Sequence, residues 1–557
     1  MHRHHRFQQL LVWMFALLAL GVIIFVRLRL LSVPLERDEG EFAYAGQLLL
    51  QGILPFESIY NMKMPGIYVA YAAMMAFLGR SSTAIHLGLM ITNLATMALV
   101  FQVGSRISGR IAGVVAAICY GLMSLHFSVQ GVFGHATHFV VLFAMAGILA
   151  IFKGAGSLRK DVVFAGGLLL GTGFMMKQHG MAFIVYAGLI LLRMLSADRR
   201  VERGQKTRII AVFTAGVVIP FSVTCGVLWT AGLFDTFWFW TVSYATRYVT
   251  MVPIQSGLET LWQNLSFIIC SSPIFWALAI VGGLFSAMQK RLGGRINLLG
   301  WLTVFSFISI FPGFHFRPHY FVLMLPAVSL LAGTGVARLC EGPDTPCCPP
   351  ANGGFRIWDV RHSSGVLQVK RYAPLVLLFI ALCLSLIRND GYYFWDTPED
   401  VSHKTYPAQF FPESLKISDY IQKHCKKNDT IAVLGSEPQI YVYADRRSAT
   451  GYIYMFPLME IQDYALQMQR QMAREIEASK PVFIVFFSSQ PSWVVRPQSE
   501  RWIFGWLEGY KEKYRPVGVV DFIAPDQVAY VWGGPAADYR PASPIWCMIL
   551  KRIDAME

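Results

Sequence analysis

The 557 residues are 55% hydrophobic and only 15% charged, with a mean hydropathy of +0.45, which excludes an ordinary soluble domain and predicts a polytopic α-helical membrane protein. The formal net charge of +14 does not point to nucleic acid, because no basic stripe with interleaved aromatics stands outside short loops, where a basic excess marks cytoplasmic segments. Nine scattered cysteines show neither the paired spacing of a zinc site nor a disulfide framework.

In chain order, the basic start Met1-His-Arg-His-His-Arg6 leads into an apolar run from Leu10 to Val26. The run is long and no small-residue cleavage site follows, so it reads as an uncleaved first helix. Further apolar runs predict spans near 84–103, 111–127, 138–152, 162–176, 180–195, 209–230, 262–287, 297–312, 320–338 and 372–387, about eleven with the first. Gly66–Gly79 is short for a span and follows Pro65; it reads as an interfacial helix inside a first extracytoplasmic loop, 31–83.

Loop charges give an independent check. With the N-terminus cytoplasmic, segments 1–9, 104–110, 153–161, 193–208, 288–296 and 338–371 carry 21 Lys or Arg between them. The short loops on the other side carry only Lys177, Arg247 and Arg317, the asymmetry that the positive-inside rule expects. Residues 1–390 thus read as a transmembrane module. Beyond it hydropathy falls, and 391–557 reads as a soluble extracytoplasmic domain. Its runs Thr430-Ile-Ala-Val-Leu-Gly435 and Pro481-Val-Phe-Ile-Val-Phe-Phe487 read as buried strands around a polar helical stretch, Tyr464–Ser479, predicting an α/β domain.

Charged side chains are expensive at a membrane, so those beside spans are functional candidates. The first loop holds Leu35-Glu-Arg-Asp-Glu-Gly-Glu-Phe-Ala-Tyr44 and Tyr60-Asn-Met-Lys-Met-Pro-Gly-Ile-Tyr68. Its candidates are Asp38, Glu39, Glu41, Tyr60 and Lys63. Other loops on the same face add His135, His138, Lys177, His179, Arg247, His315, Arg317 and His319. Together they offer carboxylates able to act as a base and cations able to hold a phosphate. Structural explanations stand beside these. Asp38 and Glu41 match a capping box for a helix running to Gln51 and stopping at Gly52. Lys63 and Lys177 could snorkel, and His135 and His138 could share a metal, though no third ligand is evident. The segment Gly435-Ser-Glu-Pro-Gln-Ile-Tyr441 ends a strand, and offers either polar contacts or a plain turn into a helix.

The Asp-Glu pair just after the first helix, the Lys-x-Pro-Gly-Ile-Tyr stretch, the multi-span bundle and the outside C-terminal domain together resemble the GT-C membrane glycosyltransferases. The branch is that of the protein O-mannosyltransferases and the lipid A aminoarabinose transferase. The resemblance is most specific over residues 36–80 and extends as architecture to about residue 390. It implies a GT-C-like bundle and a polyprenyl-phosphate-linked sugar as donor. It also implies inverting transfer on the extracytoplasmic face to a hydroxyl of a glycolipid, polysaccharide or protein, in a bacterial inner membrane.

On this resemblance Asp38 takes the place of the catalytic carboxylate, with Glu39 beside it, and Lys63 that of the residue near the lipid phosphate. Lys177 and Arg317 are further phosphate candidates. This chain departs from the pattern in carrying His135 and His138 where relatives have an acid, and Met64-Pro65 where Pro-Pro is common. A divalent metal is compatible with such a site but required by no motif. Single displacement needs one base and a cation for the leaving phosphate, whereas a hydrolase needs two spaced carboxylates. A lipid donor also accounts for the lack of a nucleotide-binding Gly-rich loop. The alternative is a transporter or flippase of lipid-linked or small polar substrates. It predicts midplane charges and repeated halves, and the sequence shows neither.

Overall fold

The computed structural model describes residues 2–199, 201–288, 295–341, 365–524 and 527–556. By its internal contacts the chain divides into two units. A helical unit comprises Met1–Leu31, His86–Val227 and Val252–Trp395, and an α/β unit comprises Ser32–Ile85, Leu228–Met251 and Asp396–Glu557.

Each of the eleven apolar runs falls on helix. Among the described residues six helices are long and apolar enough to cross a membrane: Val12–Arg29, Ser82–Ser108, Ala136–Ser157, Gln178–Ala197, Arg203–Thr230 and Pro318–Cys340. Shorter apolar helices include Arg110–Met123, Leu298–Ile308 and Val376–Arg388. The run read as one span at 262–287 is instead two helices, Ile254–Ser271 and Pro273–Ala287, bent by 100°. Counted as one broken span, they raise the number to seven. The break has a local cause: Pro273 brings no N–H to continue the ladder, and Ser272 before it leaves the helical region at φ −143°, ψ 53°.

Pro318–Cys340 is 94% buried and forms the centre of the helical unit. Small residues let its neighbours close in. A Cβ on Gly333 would strike the Ala112 carbonyl, and one on Gly282 the Leu331 carbonyl. One polar pair crosses this core, Ser108 Oγ with Thr334 Oγ1 at 2.9 Å.

The α/β unit holds a six-stranded sheet in the order β2-β1-β3-β6-β4-β5. Its strands are β1 (Thr430–Leu434), β2 (Arg447–Ser448), β3 (Phe483–Ser488), β4 (Tyr514–Ala524), β5 (Gln527–Trp532) and β6 (Trp546–Arg552). β1 runs parallel to β2 and β3, with Ile431 opposite Phe483; β6, β4 and β5 extend the sheet antiparallel, with Val485 opposite Ile549. The central strands are apolar on both faces, as strands covered on both sides are. The helix Ala465–Ser479 lies between β1 and β3 in sequence and buries Met468, Met472 and Ile476, one stripe at i, i+4 and i+8.

The same unit contains the first-loop helices. Arg37–Leu50 packs on Gly66–Leu78 and on Gln439–Ala444. A Cβ on Gly40 would stand 2.5 Å from the Gln439 nitrogen, so only glycine permits this approach. The Tyr44 and Tyr441 rings close the contact at 5.0 Å.

Candidate active site

The start of the Arg37–Leu50 helix decides what each acid of the first loop can do. Its cap is Glu36, whose side chain accepts from Glu39 N at 2.9 Å while Glu39 Oε2 accepts from Glu36 N at 3.1 Å. The box is therefore Glu36–Glu39, two residues before the Asp38–Glu41 pattern. Burial, with the charges of Asp38 and Glu39 alongside, holds the Glu36 carboxyl well above the usual carboxylate range. Glu39 and Glu41 have no exposed surface. Asp38, outside the box, keeps 13% of its side chain exposed. Its Oδ1 receives Lys63 Nζ at 3.0 Å and the Tyr454 hydroxyl at 3.1 Å. Lys63 in turn lies 5.3 Å from the centre of the Phe42 ring. A carboxylate, an ammonium and a phenol thus meet at one partly open point.

Directly before Asp38, Arg37 is buried between the Phe411 and Phe456 rings. It pairs with Glu437 at 2.9 Å and donates to the Ser436 carbonyl. Glu437 is fully buried and also accepts from Ser492 Oγ at 2.7 Å and Gln439 Nε2 at 2.8 Å. This pair ties the first turn of the helix to the turn after β1. Sequence reading passed over Arg37, although its place beside Asp38 and the polar 435–441 segment were both in view.

Glu41 accepts from Asn61 Nδ2 at 2.8 Å and from the Tyr68 hydroxyl at 2.7 Å. Burial still raises its carboxyl to about 7; Lys63 opposes that rise and Asp38 adds to it. Between the unfolded value near 4.5 and this folded value, the folded chain holds a proton that the unfolded chain has lost. Stability therefore falls as pH rises through that window and levels off above it. Glu41→Gln should remove this slope. Melting curves of the purified protein at pH 5 and pH 8 check it, and equal slopes for both proteins would refute the assignment.

Tyr60 is built into the same unit. Its ring stacks on Trp240 at 6.2 Å, its N–H donates to Gly451 O at 2.9 Å and its hydroxyl faces Glu475 at 3.3 Å. Burial and the Glu475 charge push that hydroxyl up to about 12, which makes it a donor and not a base. Arg247 pairs with Asp463 at 3.8 Å, and both are more than half exposed, so the pair contributes little.

The remaining candidates lie in the helical unit. The His135 and His319 rings stack at 3.9 Å, and His319 Nδ1 meets Gln130 Oε1 at 3.1 Å. His138 faces Asn93 Oδ1 at 3.1 Å, so the spacing-based pair His135–His138 is not the pair that meets. The two stacked imidazoles offer nitrogen ligands of the kind a divalent metal takes. Lys177 Nζ sits 4.0 Å above the Tyr320 ring, and the His179 ring meets that ring at 4.8 Å. His315 and Arg317 are half-buried in a loop where Phe314 and Phe316 take positive φ (53° and 40°). Bulky residues there cost about 1–3 kcal/mol each and are frequent at functional sites.

Comparison with known proteins agrees with this architecture. Residues 63–229 match the family model described as dolichyl-phosphate-mannose-protein mannosyltransferase. No curated protein matches the chain by sequence. ArnT from Cupriavidus metallidurans in the apo state superposes with a TM-score of 0.56 at 14% identity, over 96% of this chain and 97% of that one. The chain has a GT-C fold. The same ArnT bound to undecaprenyl phosphate gives a TM-score of 0.54 at 16% identity, over 86% of this chain and 93% of that one. The archaeal oligosaccharyltransferase AglB from Archaeoglobus fulgidus, with an inhibitory peptide and a dolichol-phosphate, gives 0.50 at 12% identity, over 95% and 75%. Within the GT-C fold, the family match begins at Lys63, the residue paired with Asp38.

Proposed function

We propose that this chain is an inverting glycosyltransferase, moving a hexose or pentose from a polyprenyl-phosphate donor to an acceptor hydroxyl. The observation that carries the reading is the Asp38–Lys63 pair. Of the acids in its turn, Asp38 is neither part of the cap nor sealed from solvent, and a cation stands 3.0 Å away. Support for a lipid phosphate comes from the GT-C fold shared with proteins seen holding undecaprenyl phosphate and a dolichol-phosphate. The basic loops support a cytoplasmic N-terminus and, with it, 391–557 on the extracytoplasmic side; a bacterial inner membrane follows from the branch that the sequence resembles.

Asp38 takes the proton of the acceptor hydroxyl as that oxygen attacks the anomeric carbon, and the bond to the polyprenyl phosphate breaks on the opposite side. Lys63 balances the charge that develops on the leaving phosphate. Before donor binds, Lys63 is paired with Asp38. A donor phosphate that draws the ammonium away frees the carboxylate oxygen to receive the acceptor proton once donor is in place.

The test is transfer of label from polyprenyl-phosphate sugars to glycolipid, polysaccharide and peptide acceptors by the purified full chain. Mass spectrometry of the co-purifying lipid narrows the donors. Lys63→Ala should lower turnover by about tenfold or more even at saturating donor. Unchanged kinetics would reduce Lys63 to a snorkelling residue, and transfer from no lipid-linked sugar by the wild type would refute the assignment.

A further inference from the structure

We propose that a basic cleft in the α/β unit binds the phosphate headgroup of an anionic membrane lipid. The cleft has a volume of about 490 Å³ and lies between the end of the Arg37–Leu50 helix, Arg80 and residues 427–447. Arg80, Lys427, Arg446 and Arg447 line it against the single carboxylate of Asp445.

Arg446 forms the buried floor of the cleft. It is 8% exposed, and its five N–H donors are spent within the protein, on the carbonyls of Ala444, Asp445 and Cys425 at 2.9–3.0 Å, on that of Gln422 at 3.5 Å and on Cys425 Sγ at 3.1 Å, so it contributes charge and not contacts. Among the described residues no carboxylate pairs with it, so the cleft has a rigid, positively charged floor whose charge is not neutralised. The other three cations are exposed. Arg447 makes one hydrogen bond, to Gln51 Oε1 at 3.2 Å, and most of its five donors are left for a ligand. Arginines arranged in this way suit the planar, paired contacts that a phosphate accepts.

What selects a lipid over a free phosphate is the surface next to the cleft. Arg80 follows the Gly66–Leu78 helix, which leaves Val69 57%, Phe77 88% and Leu78 37% exposed. Val69, Ala73 and Phe77 recur every four residues and so share one helix face. An apolar helix face ending in a cationic cleft matches an amphiphile with acyl chains on the helix and phosphate on the arginines.

The experiment is native mass spectrometry of the full chain in detergent, titrated with phosphatidylglycerol or phosphatidylcholine. The wild type should retain phosphatidylglycerol, and an Arg80→Gln/Arg447→Gln variant should bind it about tenfold more weakly, with phosphatidylcholine retention equal in both. Phe77→Ser should weaken binding of the long-chain lipid while leaving that of dihexanoyl phosphatidylglycerol unchanged. Equal phosphatidylglycerol binding by wild type and double variant would overturn the proposal. So would inorganic phosphate competing as well as the lipid, which would make this a site for free phosphate. The readout is lipid retention, so it stands or falls apart from sugar transfer.

Discussion

Asp38→Asn should lower sugar transfer by about a hundredfold or more while the protein folds as before. Asparagine keeps the size of the side chain and can still accept from Lys63 and Tyr454 through its amide oxygen. The helix cap does not depend on Asp38, because Glu36 and Glu39 supply it. The ion pair that is lost is mostly but not fully buried, so its removal should cost about 1–3 kcal/mol, between a surface pair and a sealed one. Only the ability to take a proton disappears. Donor binding should hold or tighten, because Lys63 no longer answers to a carboxylate, so turnover falls without a rise in the donor KM. Glu39→Ala is the matching control. It removes the capping-box acceptor for Glu36 N, at a cost of about 1 kcal/mol, and should shift the melting point more than it shifts transfer. Steady-state kinetics and melting curves on the two variants separate the roles. Near-normal turnover in a folded Asp38→Asn protein would remove Asp38 as the base.

Much of this architecture was legible because the signals are local. Runs of apolar residues marked the helices, and continuous β-branched and aromatic runs marked β1 and β3. The break at Ser272–Pro273 was hidden by its own hydropathy: both halves are apolar, and the proline that parts them was the cue. The antiparallel half of the sheet was passed over. In β4 the alternation is interrupted at Pro516 and Gly518, where the register with β6 shifts, so a period-two pattern loses phase there. In the site, two capping patterns overlap at 36–39 and 38–41. Intrinsic preference favours aspartate at the cap, yet the helix starts at Arg37, the residue held by Glu437. That partner lies 400 residues away in sequence, beyond any periodicity. The same limit explains why residues 32–85 and 228–251, read as loops of a membrane module, share a compact unit with 396–557.

Glu437→Ala should be the most damaging single change for stability in the α/β unit, costing about 3–5 kcal/mol. It leaves Arg37 charged and enclosed between Phe411 and Phe456, and it takes away the acceptor used by Ser492 and Gln439. Arg37→Ala should cost a similar amount, since it strands the Glu437 carboxylate. The double variant Arg37→Met/Glu437→Leu removes both charges and refills the space, so it should recover much of the loss, because the desolvation penalty goes with the pair. Melting midpoints of the detergent-solubilised full chain for Arg37→Ala, Glu437→Ala and the Ala/Ala double variant give the cycle: strong coupling, of about 2 kcal/mol or more, is expected for groups in direct contact. Additive losses would mean that the two residues act separately. The Arg37→Met/Glu437→Leu variant also asks what the pair does beyond stability. Arg37 adjoins Asp38, and an apolar pair lacks the directional bonds that fix the first turn of the helix to the Ser436 carbonyl and Glu437. Transfer by the refolded double variant should therefore stay well below wild type, with the donor KM little changed. Full turnover would confine the pair to holding the unit together.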